Sequence, residues 1–207
     1  MSRVLDAIAA RAHAAPEAIA VSNSERAWTY GELAARVVEA ADRLWALQAP
    51  PGAPVAVVLE NGPAWVILDL ALARLSRPSL PIPAFFTPDQ RRHAMADCGA
   101  GLLLEPGEPA DLRIAGVGLR ATRLDLPPVR LPEGTAKITY TSGSTGRPKG
   151  VCLSQAQMEA VAASLVEVIG DDYAGRHLPL LPLSILLENV AGLYTTLLAG
   201  GRYHVLP

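Results

Sequence analysis

The chain has 207 residues, 50% of them hydrophobic, with a formal charge of −2 and an isoelectric point near 6.1. Such a chain can bury a substantial core as one domain or two small lobes, which excludes intrinsic disorder. Its near-neutral charge gives no electrostatic ground for a nucleic acid or an anionic membrane as partner.

In chain order, apolar periodicity first marks a helix from Val4 to Ala14 that stops at Pro16. Two short strands follow, Ile19 to Val21 and Ala27 to Thr29, around the turn NSER. Thr29 and Glu32 form a capping-box pair at the start of an amphipathic helix from Tyr30 to Leu47, which PPG at Pro50 to Gly52 ends. The run VAVVLE, Val55 to Glu60, has the unbroken apolar character of a strand covered on both faces. A helix from Ala64 to Leu75 and a short strand at Ser79 to Ile82 come next. Thr87 then caps a helix that Pro88 starts and that runs to about Asp97.

Gly101 to Glu105 reads as another strand. From Pro106 to Gly134 prolines and glycines crowd out periodicity, so this stretch is the expected boundary between lobes. Ala136 to Thr141 is a strand, and Ser154 caps a helix from Gln155 to about Ile169 with Gln157 in the capping-box position. HLPLL, a helix after Pro182 and RYHVL repeat the strand-helix-strand order. The fold class is α/β, with largely parallel sheets covered by helices.

Leu183 to Ala199 is the longest apolar run. Glu188 and Asn189 interrupt it, and it falls short of the roughly 20 residues a bilayer span requires. It reads as a buried helix, with no stable membrane insertion. Cys98 and Cys152 have no metal or redox spacing and read as reduced core or near-core residues of a cytoplasmic protein. His13, His93, His177 and His204 show no metal or triad spacing. Trp28, Trp45 and Trp65 are expected in the core. Glu188, a carboxylate on an apolar helix, needs a partner and is either a satisfied core group or a pocket residue.

Between the strand at Ala136 and the helix at Gln155 lies TYTSGSTGRPKGV, Thr139 to Val151. Its glycines allow sharp turns and let N–H groups converge on an anion without obstruction from Cβ. The hydroxyls of Thr141, Ser142, Ser144 and Thr145 add donors, and Lys149 adds a mobile cation of the kind that suits phosphate. Lysine occurs only here and at Lys137. A polyphosphate fits this set; a flexible hairpin between two strands is the alternative, because these are also ordinary turn residues. A P-loop would put its lysine directly after the second glycine, whereas Arg147 and Pro148 separate Gly146 from Lys149. A nucleophile elbow would have glycine where Ser142 stands. GVGLRA, Gly116 to Ala121, opens no helix and is not a dinucleotide site.

YTSGSTGRPKGV closely resembles the phosphate-binding signature of the adenylate-forming superfamily, which includes acyl-CoA synthetases, luciferase-like enzymes and peptide-synthetase adenylation domains. WTYGELAARVVEAADRLWAL, VAVVLENGPAWVILDLALARL and LPIPAFFTPDQRRHAMADCGAGLLL also resemble successive segments of that superfamily. LPLSILLENVAGLYTTLLAGGRYHVL is similar to the LPLxHxxE segment of members that handle fatty acids. The resemblance implies attack of a carboxylate on the α-phosphorus of Mg-ATP, then transfer of the acyl group to coenzyme A. It implies that Thr141, Ser142, Gly143, Ser144, Thr145 and Gly146 wrap the β- and γ-phosphates and that Lys149 stabilises departing pyrophosphate. Small molecules are then the partners.

The sequence departs from the family in two ways. The later motifs for adenine, Mg2+ and the C-terminal lysine do not occur, which implies an N-terminal portion without the small C-terminal domain, not catalytically complete alone; a non-catalytic nucleotide-binding or scaffold module is the alternative. No metal ligands are assigned. Ile185 stands where the family has histidine, and with Glu188 it is the expected substrate-pocket pair. Self-association through an uncovered sheet edge or apolar helix is also expected.

Overall fold

The computed structural model of the chain describes residues 2–141 and 148–205. Helix α1 (Arg3–Ala14) precedes the strand pair β1 (Ile19–Ser22) and β2 (Ala27–Thr29), which leads into α2 (Tyr30–Ala46). Then come β3 (Val55–Val57), α3 (Pro63–Arg74), β4 (Ser79–Pro81), α4 (Pro88–Cys98), β5 (Leu102–Pro106), β6 (Leu112–Ile114) and β7 (Val117–Arg123). The chain continues through β8 (Thr135–Thr141), β9 (Lys149–Ser154), α5 (Gln155–Ala174) and β10 (Arg176–His177). A π-helix (Glu188–Tyr194), α6 (Thr195–Leu198) and β11 (Arg202–His204) complete it.

The strands form two sheets, β10-β11-β1-β2 and β6-β7-β5-β3-β4-β8-β9. In the larger sheet β5, β3, β4 and β8 run parallel, while the pairs outside them are antiparallel. The parallel centre matches the expected α/β class. The cap signals hold as well, since both reciprocal bonds of the box join Thr29 with Glu32 and Thr87 with Gln90.

Side-chain alternation explains how the larger sheet is covered on both faces. Val55, Val57, Leu102 and Leu104 belong to the main core with α2 and α3, whereas Ala56 packs with Ala94 and Cys98 of α4 on the other side. Helix α3 has every residue from Pro63 to Leu72 buried, as its nearly uniform apolar sequence requires. At the C-terminal end of α4, Gly99 takes a left-handed φ of 64°, and a Cβ there would come within 2.9 Å of Pro127 O. Glycine therefore both ends α4 and admits the chain at 127–129.

Four expectations need correction. The Pro106–Gly134 stretch is not irregular throughout: β7 pairs with β5, and β6 pairs with β7, extending the sheet. The β3 strand stops at Val57, three residues short of the run VAVVLE. The helix expected after Pro182 begins at Leu186 and is a π-helix, not an α-helix, over Glu188–Tyr194. Trp45 is 68% exposed. It follows Leu44, which is on the buried face of α2 with Leu33, Val37 and Ala41, and one step of about 100° around a helix carries it to solvent.

Candidate functional site

The hairpin of β8 and β9 carries the signature segment. In its register Tyr140 faces Gly150 and Thr141 faces Lys149, so the last residues before the loop stand opposite each other at its mouth. Ser142, Gly143, Ser144, Thr145 and Gly146 lie outside the described residues. The hairpin is at the edge of the sheet, not between two central strands: β8 pairs with β4 on its inner side, and β9 is the edge strand. Parallel pairing of β4 with β8 fixes β8, and the antiparallel return through β9 needs only a short connection.

Helix α4 packs beneath this hairpin and meets both arms. The Tyr140 hydroxyl donates to Asp97 Oδ2 at 2.7 Å, and His93 Nε2 lies 3.1 Å from the Pro148 carbonyl oxygen. A carbonyl only accepts, so His93 must carry a proton on Nε2. Burial, with the Asp97 carboxylate next, raises the Tyr140 phenol far above its ordinary range, so it remains a donor. A Cβ on Gly150 would lie 2.9 Å from the Tyr140 ring, so glycine is what lets that ring lie across β9.

On the other face of β8, Lys137 enters the core. Its Nζ donates to Asp69 Oδ1 on α3 and to Asn189 Oδ1 on the π-helix. Asp69 Oδ2 accepts from the Tyr194 hydroxyl at 2.9 Å and from Asn189 Nδ2 at 3.2 Å. Burial pulls the Lys137 pKa below the usual lysine range, and the Asp69 carboxylate opposes that pull. The strand leading to the loop is thereby tied to α3 and to the π-helix. Sequence reading missed this cluster; its one signal was the rarity of lysine.

Neither Ile185 nor Glu188 is among the described residues that line the apolar pocket beside the π-helix. Glu188 is buried, where its Oε1 accepts from the Tyr203 hydroxyl at 2.9 Å and lies 2.7 Å from His177 Nε2, while Oε2 accepts from Leu181 N at 3.3 Å. It is a satisfied core group joining the π-helix to β10 and β11. Ile185 is partly exposed at the entry to that helix. A different face of the π-helix opens a pocket. Leu186, Leu187, Val190 and Ala191 oppose Met158 and Val161 of α5 across an almost wholly apolar space of about 360 Å³.

A wider cleft of about 1170 Å³ is lined by Arg26, Arg36, Arg43 and Arg113, but by no residue of β8 or β9. Arg91, also in the lining, donates to the Phe86 and Ala84 carbonyls, and the other four guanidiniums pair with carboxylates: Arg26 with Glu32, both Arg36 and Arg43 with Glu39, and Arg113 with Glu108. Such paired, half-exposed cations leave little free charge for a polyanion. Among the described residues no group of three or more His, Cys, Asp or Glu is placed to hold a metal ion. No helix there is long and apolar enough to cross a membrane.

The family model described as AMP-binding enzyme matches residues 8–207. The chain belongs to the AMP-binding enzyme family. Among curated relatives, a feruloyl-CoA synthase of Amycolatopsis sp. is 34% identical over 159 residues, covering 72% of this chain and 32% of that protein. A probable non-canonical nonribosomal peptide synthetase of Salinispora arenicola is 32% identical over 196 residues, 86% of this chain and 2% of that one. Among solved structures, the o-succinylbenzoate CoA synthetase of Bacillus subtilis in complex with its acyl-adenylate intermediate superposes with a TM-score of 0.78 at 23% identity. That match covers 97% of this chain and 55% of the synthetase. The same enzyme solved with ATP and a magnesium ion gives 0.76 at 23% identity, over 96% and 56% of the two chains. This AMP-binding chain thus has the fold of the N-terminal portion of adenylate-forming enzymes and spans about half, or less, of these relatives.

Proposed function

We propose that this chain supplies the polyphosphate-binding hairpin and an acyl-accepting wall of an ATP-dependent carboxylic acid ligase. The supporting observation is the placement of Thr141 and Lys149 opposite each other where β8 and β9 open into the signature loop. A hydroxyl and an ammonium at that mouth suit the β- and γ-phosphates, with Ser142, Gly143, Ser144, Thr145 and Gly146 completing the cradle. The related synthetase solved with ATP and magnesium supports ATP as the nucleotide.

In the reaction a carboxylate oxygen bonds to the α-phosphorus, the bond from that phosphorus to the bridging oxygen breaks, and pyrophosphate departs. Lys149 offsets the charge that develops on the leaving group. Coenzyme A then attacks the acyl carbon through its thiolate and AMP leaves. No metal step is assigned to the described residues, because they offer no carboxylate cluster.

The groove between α5 and the π-helix is the acyl wall of this reading. Leu187, Val190 and Val161 present hydrocarbon and no charge, which suits an aliphatic acid and therefore a fatty acid. The aromatic acid of the feruloyl-CoA relative is the competing substrate class. The test is calorimetric titration of the chain with Mg-ATP and with AMP, on wild type and Lys149→Ala. Lys149→Ala should weaken ATP about tenfold and leave AMP almost unchanged, since AMP lacks the phosphates Lys149 meets. Absence of ATP binding by the wild type would overturn the reading. Pyrophosphate exchange with fatty and cinnamic acids, measured with the remainder of a family ligase supplied, ranks the two substrate classes.

A further inference from the structure

Helix α4 touches the hairpin at two points one helical turn apart, and the two contacts fall on opposite arms. Asp97 holds Tyr140, next to last on β8, and His93 holds the Pro148 carbonyl immediately before β9. The rings of His93 and Tyr140 also meet edge to face, with centroids 6.2 Å apart and planes at 78°. Residues four apart lie on one face of a helix. A single rigid element therefore grips the chain on both sides of the loop.

The grip addresses a specific weakness. Among the described residues the β9 strand is the edge of the sheet, with β8 as its one neighbouring strand. An edge hairpin twists and frays more readily than an inner one. A phosphate site made of backbone donors needs its two ends held to a fraction of an ångström, because the donors must converge without reorganisation.

We propose that His93 and Asp97 are positioning residues for the phosphate site: through Pro148 and Tyr140 they set the separation of the loop's two ends. This inference rests on the reading of that hairpin as the ATP site. Neither residue is assigned a contact with the nucleotide. The asymmetry of the two grips is chemical. Asp97 accepts from a phenol, and Asn in its place keeps an acceptor; His93 donates to a carbonyl, and Gln in its place keeps a donor near the Nε2 position.

The experiment pairs amide hydrogen exchange with Mg-ATP titration on the 207-residue chain, using His93→Phe, His93→Gln, Tyr140→Phe and Asp97→Asn. His93→Phe keeps a ring but no donor, and Tyr140→Phe removes only a hydroxyl, so both variants retain the shapes that pack the helix on the sheet. The expected result is faster exchange at 139–141 and 149–151 in the two Phe variants, with α1 and α2 unchanged. ATP affinity should fall about fivefold in each. His93→Gln and Asp97→Asn should stay near wild type in both readouts. Unchanged exchange in the arms overturns the inference. Faster exchange with undiminished ATP affinity also overturns it, because the contacts would then be structural only. If the wild type binds no ATP, the phosphate reading fails and takes the positioning role with it, while exchange in the arms still reports whether α4 holds them.

Discussion

Lys137 Nζ lies 2.7 Å from Asp69 Oδ1, and both side chains are all but sealed from solvent, at 4% and 3% exposure. A buried pair of this kind recovers in mutual attraction and hydrogen bonds what its two ions lose in hydration, so its net worth is small. Its influence is on geometry. Lys137 faces the rings of Trp65 and Tyr194, with centroids 5.5 and 5.3 Å away, and can reach Asp69 only with β8, α3 and the π-helix in register.

Removing one partner should therefore cost far more than removing both. Lys137→Met leaves Asp69 as an unpaired buried carboxylate and is expected to destabilise the chain by about 3–5 kcal/mol. The double variant Lys137→Met with Asp69→Leu should recover most of that loss. Urea denaturation of the wild type, the single variants Lys137→Met and Asp69→Leu, and the double variant measures the coupling; additive losses would refute the pairing.

A second expectation concerns acid. Glu159 of α5 is buried beneath the N-terminus of α1, where it accepts from Ser2 Oγ, Arg3 N, Val4 N and Gln155 Nε2. Burial raises its carboxyl pKa, but the hydrogen bonds from Gln155, Ser2 and the two amides outweigh burial and leave it below the ordinary 4.5. The folded state thus binds this proton less readily than the unfolded state. Its contribution is complete above about pH 4.5 and declines as pH falls through the lower folded value. Replacing Glu159 with Gln should lower stability at pH 7 and flatten its slope below pH 4.5, measured by thermal melts across that range. An unaltered slope would contradict the assignment.

The Glu188 carboxylate offers a test of local satisfaction. Tyr203 is fully buried and its hydroxyl donates to Glu188. Glu188→Ala strands that hydroxyl and the Leu181 amide, at an expected cost of about 2–4 kcal/mol. On that background Tyr203→Phe should be neutral or mildly stabilising, although in the wild type it is destabilising. Equal effects of Tyr203→Phe in both backgrounds would mean the bond contributes nothing.

Much of the scaffold could be read in advance because its signals are local. Thr29 with Glu32, Thr87 with Gln90, and Ser154 with Gln157 form their reciprocal bonds within four residues of chain, and each cap falls at the residue the sequence marks, Thr29, Thr87 or Ser154. The signature TSGSTGRPKG was legible for the same reason, being one uninterrupted run. The groove was not. Met158 and Val161 meet Leu187 and Val190 only after two helices pack, and no periodicity says which face of a uniformly apolar helix will stay open. Glu188 illustrates the difficulty: the sequence demands a partner for it, yet Tyr203 and His177 come from two other strands.

By itself the sequence determined the helix caps, the doubly covered strand that begins at Val55, and the donor-rich loop flanked by Thr141 and Lys149, since each depends on neighbours along the chain. The tertiary structure alone decided that the hairpin takes the sheet edge, that α4 grips it through His93 and Asp97, and that Lys137 finds Asp69. Contacts between residues tens of positions apart depend on how whole elements dock. That docking minimises exposed hydrocarbon and unpaired charge over the entire molecule rather than within any one segment.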